Sequence, residues 1–161
     1  MIDGKYIKSY RDPSLCVEAT NIGNNEMPYL ESCDGSSKQR WKLPEIGRWG
    51  QMKPKRSDSY NVAFESIGDG PGGSAASPGD KIVLVTWEDP DWVITPFDDD
   101  DDDDSDGDSY RIGPCRQFQL EENEDFCMEV DYPVTSGRRV VLERCSENAM
   151  DQMFCPDTLG R

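Results

Sequence analysis

Two glutamates frame the chemistry open to this chain. Glu18 stands two residues after Cys16 in Leu15-Cys16-Val17-Glu18, and Glu129 two residues after Cys127 in Phe126-Cys127-Met128-Glu129. A carboxylate held at such a place can accept hydrogen bonds from adjacent hydroxyls, as on a sugar, or form half of an acid–base pair. Histidine is absent from all 161 residues, which excludes Ser-His-Asp and Cys-His nucleophiles and every His-ligated metal. Absence of a Cys-x-x-Cys pair removes thioredoxin-like and zinc-ribbon geometry as well. Paired carboxylates remain available, yet no proton donor and partner stand out among the 33 acids. The residues point to recognition without reaction and without a cofactor or metal.

Charge narrows the partners. Against 33 Asp and Glu there are 17 Lys and Arg, a formal charge of −16. Such a balance leaves little basic surface to displace counterions from nucleic acid, and it disfavours anionic membranes. No apolar run is long enough for membrane insertion. Nine of the acids lie in one insert, residues 98–108 (DDDDDDDSDGD); taking nine from 33 leaves 24 acids against 17 bases, or −7 for the rest of the chain. The body is therefore an ordinary acidic domain. Self-repulsion predicts an extended, mobile, solubilising insert, with weak multivalent attraction for Ca²⁺ or basic protein patches as the alternative. Asp104, Asp106 and Asp108 match the first spacings of a calcium loop, but Ser109 stands at its glycine and Cys115 at its closing glutamate. Ser105 is a modification candidate only if the protein meets an intracellular kinase. A second biased run, residues 68–79 (GDGPGGSAASPG), has no Lys-Ser/Thr after it and reads as a loop extension, not a phosphate loop.

The elements that must position the glutamates are strands. Residues 29–33, 81–87 and 139–145 are short, alternating or β-branched, and bounded by Gly, Asn, Asp or Ser. Gly and Pro together make 25 residues, and no dozen residues carry a helical stripe free of them. An all-β domain over 1–161 is expected. The six cysteines, with spacings of 17 from Cys16 to Cys33 and 18 from Cys127 to Cys145, suggest two local disulfides, with Cys115 and Cys155 as a third. Six buried thiols in a reducing compartment are the alternative. Disulfides would place the protein outside the cell or in the secretory pathway, although the opening MIDGKYIKSY is no signal peptide.

An internal repeat organises these strands. Leu15, Cys16, Val17, Glu18, Leu30, Glu31, Cys33, Gln39 and Trp41 answer to Phe126, Cys127, Met128, Glu129, Leu142, Glu143, Cys145, Gln152 and Phe154. A degenerate copy lies between them, from Asn61-Val62-Ala63-Phe64-Glu65 to Pro90-Asp91-Trp92. In it Ala63 and Trp87 take the two Cys positions, and Glu65 takes the acid position. The repeats run over about 4–45, 46–97 and 109–155, and three such units share a core that none could bury alone.

The Cys-Val-Glu opening, the strand ending in Cys and the closing Gln-x-Trp resemble the ricin B-type lectin repeat. That resemblance implies a single β-trefoil of twelve strands in three pseudo-symmetric lobes. It also implies that Trp41, Trp92 and Phe154 are core residues and that Gln39 and Gln152 make structural hydrogen bonds. The implied activity is noncatalytic binding of glycans or a glycoprotein. In that family the acid after the first Cys accepts sugar hydroxyls, a second-strand aromatic stacks on the ring, and an amide next to the Gln completes the site. Here the aromatic position is Glu31, Val85 and Glu143, so Tyr29, two residues before Glu31, is the nearest ring. Lys38 and Asp151 replace the amide. The resemblance thus implies a first-lobe site of Glu18, Tyr29 and Lys38, a third-lobe site of Glu129, Tyr132 and Asp151, and a silent middle lobe. The missing stacking residues also allow a trefoil that has lost sugar binding and serves as a protein-interaction or structural domain.

Overall fold

The computed structural model describes residues 2–65, 76–86, 90–95, 115–121, 125–146 and 149–157. The acidic insert 98–108 with Ser105, most of the 68–79 run, and Trp87 lie outside the described residues. What is described is all-β, a β-trefoil. Its strands are β1 (Ile2–Ser9), β2 (Leu15–Glu18), β3 (Tyr29–Ser32), β4 (Trp41–Leu43), β5 (Trp49–Gly50), β6 (Lys53–Pro54), β7 (Asn61–Phe64), β8 (Ile82–Val85), β9 (Trp92–Ile94), β10 (Phe118–Leu120), β11 (Phe126–Val130), β12 (Val140–Arg144) and β13 (Phe154–Asp157). Thirteen segments replace the twelve expected because β5 and β6 are two halves of one strand, interrupted at Gln51 and Met52.

Antiparallel pairing closes a ring. β1 pairs β4, β4 pairs β6, β5 pairs β9, β9 pairs β10, and β13 returns to β1. An isolated bridge from Arg116 to Phe154 completes the circuit. Three hairpins, β2–β3, β7–β8 and β11–β12, cap one end. Among the described residues, each barrel strand is then paired on both sides, β5 and β6 being counted as one.

The three lobes share one register. Lys5 faces Trp41, Gly50 faces Trp92, and Arg116 faces Phe154. At the hairpins, Val17 faces Leu30, Val62 faces Leu84, and Met128 faces Leu142. Each of these leucines exchanges two backbone hydrogen bonds with a loop of another lobe. Leu30 N donates to Arg138 O and Leu30 O accepts from Gly137 N (both 2.7 Å); Leu84 does so with Glu26 and Asn25 (2.9 and 2.8 Å), and Leu142 with Asp80 and Gly79 (2.8 and 2.7 Å). The loop residues that donate, Asn25, Gly79 and Gly137, all have positive φ (68°, 87° and 87°). That left-handed conformation suits glycine and, at lower cost than most residues, asparagine.

Burial follows the same symmetry. Trp41, Trp92 and Phe154 are buried to 1 % exposure or less and join one apolar cluster with Ile7, Met52, Phe118 and the three leucines. The indole Nε1 atoms of Trp41 and Trp92 donate to Val17 O and Val62 O, each at 3.0 Å, which satisfies their only polar atoms inside the core. Cys16–Cys33, Cys127–Cys145 and Cys115–Cys155 are disulfide-bonded, the first two with the same Cα–Cα distance of 5.0 Å.

This register corrects the alignment of the middle repeat. Because Val62 corresponds to Val17, the first Cys position is Asn61 rather than Ala63, and the acid position is Ala63 rather than Glu65. Glu65 lies beyond β7, exposed, and accepts from Lys81 N at 2.9 Å. The pentapeptide 61–65 alternates equally well in either frame, and only the pairing to Leu84 and the bond from Trp92 choose between them. Among the described residues no helix is long and apolar enough to cross a membrane.

Candidate functional site

In the first lobe, β2 and β3 place Glu18 directly opposite Tyr29, one pair along the strands from Val17 and Leu30. Residues so opposed stand on one face with Cβ atoms within contact distance. A 3₁₀ turn, Ser37–Gln39, folds over that face and is tied to it by Ala19 N donating to Lys38 O at 2.9 Å. The turn carries Lys38 outward, exposed, and Gln39 inward, fully buried. Gln39 Nε2 donates to Glu18 Oε1 (2.9 Å) and Ser32 O (2.8 Å), while its Oε1 accepts from Asp34 N at 2.9 Å. Glu18 Oε2 accepts from Thr20 Oγ1 at 2.7 Å, and the residue is only 8 % exposed. Tyr29 is half-buried. Register thus puts Glu18 and Tyr29 on one face of the hairpin, with Lys38 exposed on the turn that packs against β2.

The third lobe repeats the polar frame without the ring. Gln152, in the 3₁₀ turn Met150–Gln152, donates to Glu129 Oε1 (2.9 Å) and Arg144 O (2.7 Å) and accepts from Ser146 N (2.9 Å). Opposite Glu129 stands Val141, not an aromatic residue. Tyr132, 71 % exposed, sits on the loop after β11 and projects into solvent. Asp151 is engaged by Arg11 Nε at 2.6 Å. Burial pushes the Glu129 carboxyl above its ordinary range; the bond from Gln152 opposes this, and Glu143, Asp151 and Asp131 add to the rise. The geometry therefore joins Glu129 to Gln152 and commits Asp151 to another partner.

In the middle lobe the acid and glutamine positions hold Ala63 and Pro90, both buried. Where the amide is absent its carboxylate partner is absent too. That joint replacement fits the bonds above, since a buried carboxylate without its donor would be costly. Two contributors to the first-lobe site escaped sequence reasoning. Thr20 supplies the second bond to Glu18, and Arg56 Nη2 holds the loop through Ala19 O (2.6 Å) and Thr20 O (3.1 Å). The hydroxyl two residues past Glu18 was a usable signal for Thr20. Nothing in sequence marked Arg56, which comes from the next lobe. Among the described residues no cluster of acids and cysteines could hold a metal.

No family model matches the chain, and no curated protein matches it in sequence. Solved structures match it in shape. A designed three-fold symmetric protein, ThreeFoil, superposes with a TM-score of 0.73 at 10 % identity, covering 96 % of this chain and 98 % of that one. The Macrolepiota procera ricin B-like lectin, in complex with lactose, gives 0.67 at 13 % identity over 98 % and 97 % of the two chains. The C-half of the earthworm R-type lectin, in complex with GalNAc, gives 0.62 at 12 % identity over 96 % and 98 %. The chain is thus a β-trefoil with the fold of the ricin B-type lectins.

Proposed function

We propose that this chain is a noncovalent carbohydrate-binding module whose principal site is the first-lobe hairpin. Glu18 accepts from adjacent sugar hydroxyls, Tyr29 covers the apolar face of the ring, and Lys38 donates from the turn. The observation that carries this reading is the direct opposition of Glu18 and half-exposed Tyr29. The equivalent pairs are Ala63 with Val83 and Glu129 with Val141, so in neither other lobe does an aromatic stand directly opposite the acid. Glu129 and Tyr132 would form a lesser site, which Asp151 joins only by leaving Arg11. The partners are glycans or a glycoprotein, not nucleic acid or a membrane interior, and no reaction follows binding. Lectins of this fold captured with lactose and GalNAc support the assignment. The site is shallow, so single-site affinity is weak and strength comes from several copies or a second domain. Three disulfides suit an extracellular or secretory setting.

One observation favours a second reading, a trefoil that binds protein or supports structure and no longer binds sugar. Both oxygens of Glu18 already accept, from Gln39 and Thr20. Glycan-array binding of the disulfide-bonded chain separates the two. The lectin reading expects a glycan signal that falls roughly two- to tenfold in Tyr29→Ala, the loss of one stacking contact, and weakens in Lys38→Ala. Neither side chain is in the core, so both variants retain the fold. Absence of binding to any glycan by the intact chain leaves the interaction domain as the function.

A further inference from the structure

Among the described residues, one large aromatic side chain away from the hairpins is exposed. Trp49 opens β5 and faces Val93 in register, yet it is 39 % exposed. The shared register identifies its counterparts. Gly50, Lys5 and Arg116 are equivalent; β1 shifts register between Ile2 and Lys5, so the place of Trp49 falls at Asp3 or Gly4 in the first lobe and at Cys115 in the third. Gly4 has φ 77°, and Cys115 is bonded to Cys155. Neither other lobe places a ring there, and 39 % of Trp49 stays open to solvent.

The indole lines an open depression of about 260 Å³ together with Pro44, Glu45, Arg48 and Gly50. Its backbone is held firmly. Gly47, at φ 84°, donates to Ile94 O at 2.8 Å, and Arg48 N donates to Glu45 O at 2.9 Å. A Cβ on Gly50 would lie 3.0 Å from Pro44 Cβ, so glycine is what lets the strand close on the proline and form the floor. Glu45 and Arg48, 3.7 Å apart with side chains 59 % and 78 % exposed, stand beside the ring as an acceptor and a donor without net charge.

We propose that this depression binds one pyranose ring of a neutral sugar. The apolar face of the ring stacks on Trp49, and neighbouring hydroxyls donate to Glu45 and accept from Arg48. The ion pair adds no net charge to the depression. A cavity smaller than the roughly 300–1,000 Å³ of drug-sized pockets has room for a single ring. The site lies at the junction of the first and second lobes and does not depend on the first-lobe hairpin. Two weak sites on one rigid body would raise avidity for a branched glycan.

A ¹⁵N-resolved NMR titration of the full disulfide-bonded chain with methyl β-galactoside, N-acetylgalactosamine and glucose tests this directly. The Trp49 indole N–H resonance, assigned from Trp49→Phe, should shift saturably at millimolar concentration of at least one sugar, while those of buried Trp41 and Trp92 stay in place. Resonances of residues 44–50 should follow it in Tyr29→Ala. In Trp49→Ala they should respond roughly two- to tenfold more weakly, the loss of one stacking contact. An unmoved Trp49 indole with all three sugars overturns this site, whatever the hairpin does. So does a response of residues 44–50 that persists unchanged in Trp49→Ala.

Discussion

Gln39 donates its side-chain amide to Glu18 at 2.9 Å, and the same bond joins Gln152 to Glu129 at 2.9 Å in the third lobe. Each glutamine makes two further bonds to backbone, so it acts as a three-way clasp between the 3₁₀ turn, the hairpin and the acid. Removing the clasp should cost more than removing the charge. Gln39→Ala, which strands Asp34 N, Ser32 O and a buried carboxylate, is expected to destabilise by about 3 kcal/mol, whereas Glu18→Gln, which keeps an acceptor for Gln39, should cost under about 1.5 kcal/mol. Urea denaturation of the two variants checks the order.

The raised pKa of Glu129 fixes a sign. A carboxyl whose folded pKa lies above its unfolded value binds its proton more tightly when folded, so its contribution favours the folded state at acidic pH and declines as pH rises through the folded pKa. Glu129→Gln removes this decline. The variant should gain stability relative to the parent as pH rises from acid to neutral, with the Gln152 bond retained. Asp34 behaves in the opposite sense: bonds from Ser36 hold its carboxyl below the usual range, so what it contributes is present above the unfolded pKa and lost as pH falls through the folded one. Melting temperatures of Glu129→Gln and Asp34→Ala across this range should diverge from the parent in opposite directions.

Gly137 has φ 87° and open space where a Cβ would stand. Alanine there meets only the backbone cost of a left-handed residue, about 1–2 kcal/mol. At the equivalent Asn25 the strain is already present, and Asn25→Gly should be neutral or mildly stabilising. Chemical denaturation midpoints would show the two shifts differing in sign or in size by that amount.

Each local disulfide closes a short loop, 17 residues apart in the first lobe and 18 in the third. Replacing both cysteines of one pair by alanine should cost about 3 kcal/mol, the value for a loop near that length. The two double variants should be close to equal, because the lobes share geometry. A clear inequality in calorimetry would show that strain, and not loop length, governs them.

How much of this was legible beforehand follows from range along the chain. The Gln-x-aromatic pairs and the cysteine spacings lie within single repeats, where side-chain type and order suffice, and the all-β class follows from alternation and turn residues. The frame of the middle repeat was not legible, since Asn61-Val62-Ala63-Phe64-Glu65 alternates in both frames and the choice rests on Leu84 and Trp92, twenty and more residues away. The burial of Glu18 was hidden for a similar reason: it depends on a turn folding back over the hairpin and on Thr20. Trp49 carried no repeat signature, and its exposure became meaningful only beside the ringless places of the other two lobes.

The exchange of backbone bonds among the lobes bears on how the molecule opens. The amide of Leu30 is held by the third lobe, that of Leu84 by the first, and that of Leu142 by the second. No hairpin can therefore fray privately, because each departure strips a partner from another lobe. These three amides should exchange with deuterium at one common, slowest rate, and the middle lobe, though it lacks both disulfide and clasp, should be as well protected as its neighbours.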